Sequence, residues 1–154
     1  MMKYFFLSLL LISCKNTSVP NLEKEEHEIL QLEASQKAFH FSKNARSFTD
    51  LFSDHFLTIN KGIVGSPTRT ISFEKFDRYF KNTEFVKWDD RKQPIIRFSD
   101  DGSVAYVAVQ KEVVIKSTAG NGSSQVDITN FAWLTVYRKF KTGWKIDCVV
   151  STNE

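Results

Sequence analysis

The sequence predicts an α+β domain in which helices come first and an antiparallel sheet follows. Two observations carry this prediction. Apolar residues recur at helical spacing over residues 22–43, and after Thr83 they recur at every second position in segments separated by turn residues. Because helices and strands occupy separate halves of the chain and do not alternate along it, the α+β class is favoured over α/β.

The N-terminal half contains three predicted helical segments. Asn21 is a favourable N-cap, and we expect one long helix over residues 22–43. A helical turn is predicted over 47–52, and residues 56–59 look extended. Ser72 is predicted to cap the third helix. The aromatic face of that helix has helical spacing and consists of Phe73, Phe76, Tyr79 and Phe80.

The C-terminal half is predicted to form strands joined by hairpins. Asp100-Asp101-Gly102 is a hairpin signal, residues 119–124 form a Gly- and Ser-rich loop, and Lys141-Thr142-Gly143 is a third turn. The strands that these turns connect are predicted at 94–98, 104–115, 127–140 and 144–150.

Composition indicates one ordinary globular domain. A chain of 154 residues, 42% of them hydrophobic, can bury a core without disulfides or metals. The 21 Lys and Arg residues and 18 Asp and Glu residues give a formal charge of +3. Acids and bases alternate, as in residues 73–78 and 87–92, and no basic stripe of the kind that binds nucleic acid is present.

The first 14 residues resemble the signal peptide of a bacterial lipoprotein. Lys3 precedes nine uncharged, mostly apolar residues, and the segment ends in Leu11-Ile12-Ser13-Cys14, which resembles a lipobox. The resemblance implies that Cys14 is lipidated and becomes the mature N-terminus. Two alternatives stay open: an ordinary cleaved leader and an uncleaved membrane anchor.

This resemblance also implies a division of the chain and an address. Residues 1–13 form the signal peptide, residues 14–20 a lipidated tether, and residues 21–154 the single domain. Lipid chains hold such a domain at a bilayer surface. We therefore expect a protein anchored to a membrane of the bacterial cell envelope, facing the periplasm or the exterior.

The folded part resembles the nuclear transport factor 2-like superfamily. The resemblance rests on the element order, the capped N-terminal helix, the hairpin at Asp101–Ala105, and the closing strands at Thr135–Lys139 and Gly143–Ile146. It spans Leu22–Thr152 and looks closest to the polyketide-cyclase-like and uncharacterised branches. It implies a strongly bent antiparallel sheet around helices, a cone-shaped, cystatin-like α+β barrel with an apolar pocket. It also implies a homodimer through the outer sheet face.

The sequence departs from the catalytic members of that superfamily. Many relatives carry histidines at two positions of the last strand where Cys148 and Val150 stand here. The remaining ingredients do not have the spacing of an isomerase or an epoxide hydrolase. Those ingredients are Arg97, Tyr106, Asp127 and Asp147.

No metal site and no cofactor are predicted. The three imidazoles, His27, His40 and His55, are not at ligand spacing, and the first two face away from each other on one predicted helix. The segment at residues 120–123 lacks the third glycine and the strand-to-helix context of a dinucleotide loop.

A candidate ligand pocket follows from strand parity. Trp133, Thr135 and Tyr137 share one side of a strand, a polar and aromatic row suited to a pocket, although core packing or an interface would use the same row. Our candidate lining residues are Tyr106, Trp133, Thr135 and Cys148. Cys148 has no base close in sequence and is expected to behave as a small hydrophobe.

The expected function is binding without catalysis. The ligand is a small apolar molecule or a protein partner. The alternative is an enzyme of the isomerase or cyclase type with Tyr106 or Asp127 as its acid-base group. A third possibility is a structural subunit of an envelope complex, which predicts a large exposed apolar patch instead of a cavity.

Overall fold

Three helices form within the described residues, which the computed structural model gives as 20–118 and 124–153. They are α1 (Leu22–Phe41), α2 (Ala45–Thr49) and α3 (Arg69–Lys81). A side-chain oxygen just before each helix accepts a hydrogen bond from a backbone N–H of its first turn. These capping residues are Asn21, Asn44 and Thr68.

The helix boundaries correct two predictions. The first helix ends at Phe41, because Lys43 adopts a left-handed backbone conformation with φ of 55°. The prediction that Ser72 caps the third helix is wrong. Thr68 has the extended backbone of an N-cap, with ψ of 161°, whereas Ser72 lies inside the helix and is 2% exposed. Helical spacing of the aromatic residues does not distinguish these two starts.

The strands form one bent sheet in the order β2-β1-β7-β6-β5-β3, with β4 also paired to β5. Neighbouring strands are antiparallel except β1 and β7, which are parallel. The predicted α+β class with helices packed on a bent sheet is confirmed. The strands are β1 (Phe52–Asn60), β2 (Ile63–Gly65), β3 (Thr83–Asp90), β4 (Ile95–Phe98), β5 (Val104–Thr118), β6 (Ser124–Phe140) and β7 (Gly143–Asn153).

Register irregularities bend the sheet and fix which residues face inward. Irregularities occur in β1, in β3 and between Val136 and Tyr137 of the β6–β7 pair, and such bulges increase local twist and curvature. Directly paired residues share a face. The pairs of Thr135 with Val107 and Val149 lie on the inner face, and the neighbouring position, Val136, lies on the outer face.

The core lies between the inner face of the sheet and the helices. Ile29 of α1, Phe80 of α3, and Val107 and Tyr137 of the sheet are 0% exposed. Aromatic rings dominate one end, where Phe48, Phe80 and Phe85 pack around the ring of His40, a residue of α1. The helices, the sheet and this core pack against one another within residues 20–118 and 124–153, and we expect this part of the chain to fold on its own.

The N-terminus of α1 lies against the β4–β5 hairpin. Gly102 has φ of +65°, and a Cβ added there would lie 2.7 Å from Cβ of Pro20. A side chain at this turn is therefore excluded by both backbone conformation and close packing. The predicted signal peptide, Cys14 and most of the tether lie outside the described residues. Within the described part of the chain, no helix has the length and apolarity needed to cross a membrane.

Candidate functional site

A cavity of about 400 Å³ opens between the helices and the inner sheet face. Its volume falls in the range of roughly 300–1,000 Å³ typical of small-molecule sites. Aromatic and aliphatic side chains dominate the lining. The lining residues are Gln36, His40, Phe48, Phe52, Phe56, Thr58, Asn60, Pro67, Ser72, Lys75, Phe76, Tyr79, Trp88, Val113, Phe131, Trp133, Thr135, Ile146, Val149 and Ser151.

Stacked phenylalanines from α2 and β1 form part of the floor. The rings of Phe52 and Phe56 stack with centroids 4.2 Å apart, and Phe48 meets Phe52 edge-on at 5.1 Å. All three residues are at most 7% exposed. The parity of β1 and the end of α2 therefore place flat apolar surfaces where the ring of a ligand could stack.

His40 brings an imidazole into this apolar end. It lies on α1 one turn after Gln36, whose backbone oxygen accepts a hydrogen bond from His40 Nδ1 at 2.7 Å. Aromatic rings enclose it, with Trp88 at 4.3 Å and Phe48 at 4.6 Å between centroids. Burial lowers the pKa of His40 to about 4. At neutral pH the imidazole is uncharged, and its Nε2 carries a lone pair that can accept a hydrogen bond.

Thr135 faces the same cavity from β6 with an unsatisfied hydroxyl. Its side chain is 0% exposed, and its Oγ1 has no hydrogen-bond partner among the described residues. Asn130 Oδ1 is the other such atom, at a strand position of opposite parity. A buried hydroxyl without a partner costs about 1–3 kcal/mol. Thr135 therefore has a hydrogen-bonding capacity that no described residue uses.

Beside the cavity, a second polar group is fully satisfied. Tyr137 donates its hydroxyl proton to Glu33 Oε1 at 2.7 Å and accepts a hydrogen bond from Gln36 Nε2 at 2.7 Å. Burial and the nearby Glu33 carboxylate raise the pKa of Tyr137 well above its usual value. Burial also raises the pKa of Glu33, although the hydrogen bond from Tyr137 opposes this shift. The phenol stays protonated and ties α1 to the sheet.

At the N-terminal end of α1, the buried polar groups are likewise paired. Glu25, 5% exposed, accepts a hydrogen bond from Trp144 Nε1 at 2.7 Å and lies 2.5 Å from Lys139 Nζ. Burial opposes ionisation of Glu25, but hydrogen bonds from Lys139 and Trp144 outweigh it and lower the pKa. We call this region, in which the buried Glu25 carboxylate has its partners, the closed end of the domain.

A graded exposure distinguishes the mouth of the cavity from its floor. Thr135 and Ile146 are at most 1% exposed, whereas Lys75 and Asn60 at the other side of the lining are exposed to solvent. Asn60 of β1 pairs directly with Ser151 of β7, so the two strands meet at the mouth. The cavity therefore has an apolar, buried floor and a polar rim.

The structure separates the four predicted pocket residues into two pairs. Trp133 and Thr135 line the cavity. Tyr106 and Cys148 both pair with Val136, on the outer face of the sheet, and Tyr106 is 43% exposed. Burial, followed by the charge of Asp147, raises the pKa of the Cys148 thiol, which opposes a role as a nucleophile.

The predicted acid-base alternatives also lie away from the cavity lining. Asp127, at the start of β6, accepts hydrogen bonds from Gln125 and Ser117. Neither it nor Tyr106 is a lining residue. Among the described residues, no group of three or more His, Cys, Asp and Glu side chains could hold a metal ion.

Sequence reasoning missed the helical contribution to the site. Gln36 and His40 are one turn apart on α1, so both fall on the side of the helix that packs against the sheet. Their polar character hides them in a search for apolar stripes. The signal present in the sequence was their i, i+4 spacing, in phase with Ile29 and Leu32.

Comparison with solved structures identifies the fold. A candidate scytalone dehydratase from Novosphingobium aromaticivorans superposes with a TM-score of 0.71 at 11% identity over 86% of both chains. A nuclear transport factor 2-like protein from Cytophaga hutchinsonii superposes with a TM-score of 0.67 at 18% identity, over 84% of this chain and 98% of that chain. A ketosteroid isomerase-like protein from Erwinia carotovora superposes with a TM-score of 0.66 at 15% identity, over 84% of this chain and 96% of that chain.

At these identities the likeness concerns the fold. The chain has the nuclear transport factor 2-like fold, also described for one relative as cystatin-like, and the predicted resemblance is confirmed at this level. No protein-family model and no curated protein matches the sequence. Solved structures with this fold include dehydratase and isomerase-like proteins, so the fold does not select a function.

Proposed function

We propose that this protein binds a small, largely apolar, ring-bearing molecule in the cone cavity without transforming it. The observation that carries the proposal is the fully buried hydroxyl of Thr135, a residue in the wall of the aromatic cavity, which has no partner among the described residues. Buried polar groups in folded proteins are nearly always hydrogen-bonded. A ligand atom that accepts from Thr135 Oγ1 would restore this balance.

His40 supports the same proposal from the opposite wall. Its Nδ1 is committed to the Gln36 carbonyl, so its Nε2 is available as an acceptor. A ligand group that both donates and accepts, such as a hydroxyl, matches an acceptor on His40 and a donor on Thr135. Few polar groups among many apolar ones are typical of sites that fix the orientation of a ligand.

Binding is favoured over proton-transfer chemistry because His40 is a weak base. With a pKa of about 4, protonating this imidazole at pH 7 costs about 4 kcal/mol. General acid-base catalysis works best with a pKa near the operating pH. The described cavity lining also includes no carboxylate.

The alternative function is an enzyme of the isomerase, dehydratase or cyclase type. His40 itself favours it, since it is the one imidazole among the described lining residues, and two relatives in fold are an isomerase-like protein and a candidate scytalone dehydratase. In this alternative His40 takes the role that the sequence suggested for Tyr106 or Asp127. Turnover of a bound ligand that is abolished in His40→Gln, with ligand affinity retained, would support the enzyme.

We also propose that Cys14 carries the lipid anchor and holds the domain at a membrane of the cell envelope. The first described residue, Pro20, lies at the N-terminal end of α1, and His40 lies at its C-terminal end. At 1.5 Å per residue, the helix separates tether and cavity by about 25 Å. Incorporation of an alkyne-labelled palmitate into the full chain, and its loss in Cys14→Ser, tests the anchor.

A homodimer through the outer sheet face is part of the proposal. Tyr106, Val136, Cys148 and Leu57 share that face across four strands, and Tyr106 and Leu57 are 43% and 38% exposed. Contiguous apolar surface of this kind suits an interface. Analytical ultracentrifugation of residues 20–154 should show a dimer that Tyr106→Glu dissociates. A monomeric wild type would overturn this part of the proposal.

Native mass spectrometry tests the central proposal. The full-length protein, expressed in a bacterium and released from detergent in the gas phase, should carry a small-molecule adduct that disappears on denaturation. A protein that shows no adduct and that also fails to bind an added uncharged aromatic probe would contradict the proposal.

A further inference from the structure

We propose that the ligand is an organic monoanion, whose ring system fills the floor of the cavity and whose negative group pairs with Lys75 at the mouth. This inference rests on the proposed binding function and adds the charge and the orientation of the ligand. Three features support it: the charge of the lining residues, the position of Lys75, and the uncharged polar groups of the lining.

The lining has an unbalanced charge. Its 20 residues include one Lys and no Asp or Glu, although the chain has 18 acidic residues. His40 is neutral at pH 7 because burial lowers its pKa to about 4. Lys75 is thus the one formal charge among the described lining residues. A neutral ligand would make no ion pair with this ammonium group, and a cationic ligand would be repelled by it.

Lys75 stands at the solvent end of the cavity. It is an exposed residue of α3, whereas Ser72, one turn earlier on the same helix, is a buried lining residue. Its Nζ lies 5.9 Å from the centroid of the Phe76 ring, so the ammonium stays beside the aromatic wall. An ammonium at the mouth keeps most of its hydration and can bind an anion without the cost of full burial.

Lys75 has no acidic partner within the described part of the chain, where no carboxylate oxygen lies within 4.0 Å of its Nζ. Lys81, two turns later on the same helix, lies 2.7 Å from Asp77. The two lysines therefore differ in whether they form an ion pair. One is engaged in a surface ion pair away from the cavity, and the other is available at the mouth.

The cavity lining that includes Lys75 also supplies uncharged hydrogen-bonding groups. Thr58 and Asn60 of β1 and Ser151 of β7 line the cavity, and Asn60 pairs directly with Ser151. Hydroxyl and amide donors can satisfy the anion oxygens that a single ammonium does not reach. The ligand is thereby oriented, with its ring toward Phe52 and Phe56 and its anionic group toward solvent.

Two fluorescent probes with the same ring system test this inference on residues 20–154. N-phenyl-1-naphthylamine is uncharged, and 1-anilinonaphthalene-8-sulfonate adds one sulfonate. We expect wild type to bind both, and Lys75→Gln to weaken binding of the sulfonate about three- to five-fold, the scale of an exposed ion pair, while binding of the uncharged probe is unchanged. The matched control Lys81→Gln should change neither affinity. Raising the salt concentration should weaken only the sulfonate in wild type.

The outcomes separate the two proposals. If the uncharged probe does not bind to wild type, the proposed binding function fails. If it binds, but Lys75→Gln and salt leave the sulfonate unaffected, or Lys75→Gln weakens both probes equally, the charge inference is overturned and the cavity proposal stands. Thermal unfolding of each variant checks that it is folded, and the salt dependence of wild type needs no variant.

Discussion

The two ends of α1 meet the sheet in opposite ways. At the N-terminal end, the buried Glu25 carboxylate accepts a hydrogen bond from Trp144 and pairs with Lys139. At the C-terminal end, His40 and Thr135 face a cavity of about 400 Å³, and the Thr135 hydroxyl has no partner among the described residues. At the N-terminal end of α1, the closed end, the buried carboxylate is paired. At the C-terminal end, which we call the open end, a buried hydroxyl is not.

This difference shows how a buried polar group reveals its role. A satisfied group stabilises the folded state, and its removal leaves its partners exposed to the full cost of desolvation. An unsatisfied group destabilises the free protein and is a candidate partner for a ligand, a water molecule or an ion. Substitutions at the closed end should therefore lower stability, and substitutions at the open end should mainly change binding.

The largest expected effect is at the closed end. Trp144→Ala removes a ring that is 5% exposed and one partner of Glu25, so the free energy of unfolding should fall by about 3–5 kcal/mol. Urea denaturation measures it. Trp133→Ala, at the half-buried cavity wall, should cost less than half as much and should weaken binding of N-phenyl-1-naphthylamine instead. Equal losses of stability for both variants would remove the distinction between the two ends.

The next effect concerns pH. Burial shifts the pKa of His40 from 6.5 to about 4, so the unfolded chain binds a proton that the folded protein does not. The contribution of His40 to the free energy of unfolding is therefore fully present above pH 6.5. It falls by about 3 kcal/mol as the pH decreases from 6.5 to 4. Glu33, with a raised pKa, acts in the opposite direction.

The quantity to measure is therefore the difference between wild type and His40→Gln. Urea denaturation from pH 7.5 to 4.5 should show a steeper loss of stability for wild type than for the variant. Parallel curves would mean that the imidazole has the same pKa in the folded protein as in the unfolded chain, which would contradict its burial as a neutral group.

Tyr137→Phe should have an intermediate effect. The variant removes a hydroxyl that donates to Glu33 and accepts from Gln36, and leaves both without that partner. The free energy of unfolding should fall by about 1–3 kcal/mol. Tyr106→Phe, on the exposed outer face, is the matched control and should leave stability unchanged. A Tyr137→Phe protein as stable as wild type would show that this network contributes nothing.

Thr135→Val should have the smallest effect on stability and the opposite sign. It replaces a hydroxyl without a partner by a methyl group of similar size, so the ligand-free protein should become more stable by about 1 kcal/mol. The affinity for 1-naphthol, a ring that carries one hydroxyl, should fall. Destabilisation of the ligand-free protein would mean that Thr135 has a partner in solution, and the site would lose its main support.

Much of the fold could be predicted because its signals are local. The Asn21 cap, the Gly102 turn and the two-residue periodicity of β6 act within a few residues, and the structure contains each of them. The boundary at Thr68 was missed because Ser72 offers an equally good local cap. Competing hydroxyls of this kind are separated by packing, since Ser72 is buried and Thr68 is exposed.

The site was only partly predictable because it depends on register. Parity along β6 placed Trp133 and Thr135 on one face, and both line the cavity. The faces of Tyr106 and Cys148 depend on how β5 and β7 align with β6, and a shift of one residue reverses them. The sequence gives no sign that His40 lies in a cavity, because the four aromatic rings that surround it come from residues farther along the chain. Its imidazole is therefore considered from the sequence only as a metal ligand.

Two adjacent positions on β7 test whether the cavity binds a ligand, in a protein of residues 20–154. Val149 lines the cavity, and Val150 pairs with Leu134 on the outer face. Fluorescence titration with N-phenyl-1-naphthylamine should give saturable binding by wild type and Val150→Trp, and strongly reduced binding by Val149→Trp, whose indole fills the cavity. Undiminished binding by a folded Val149→Trp protein would contradict the claim that the open end of the cone is the ligand site.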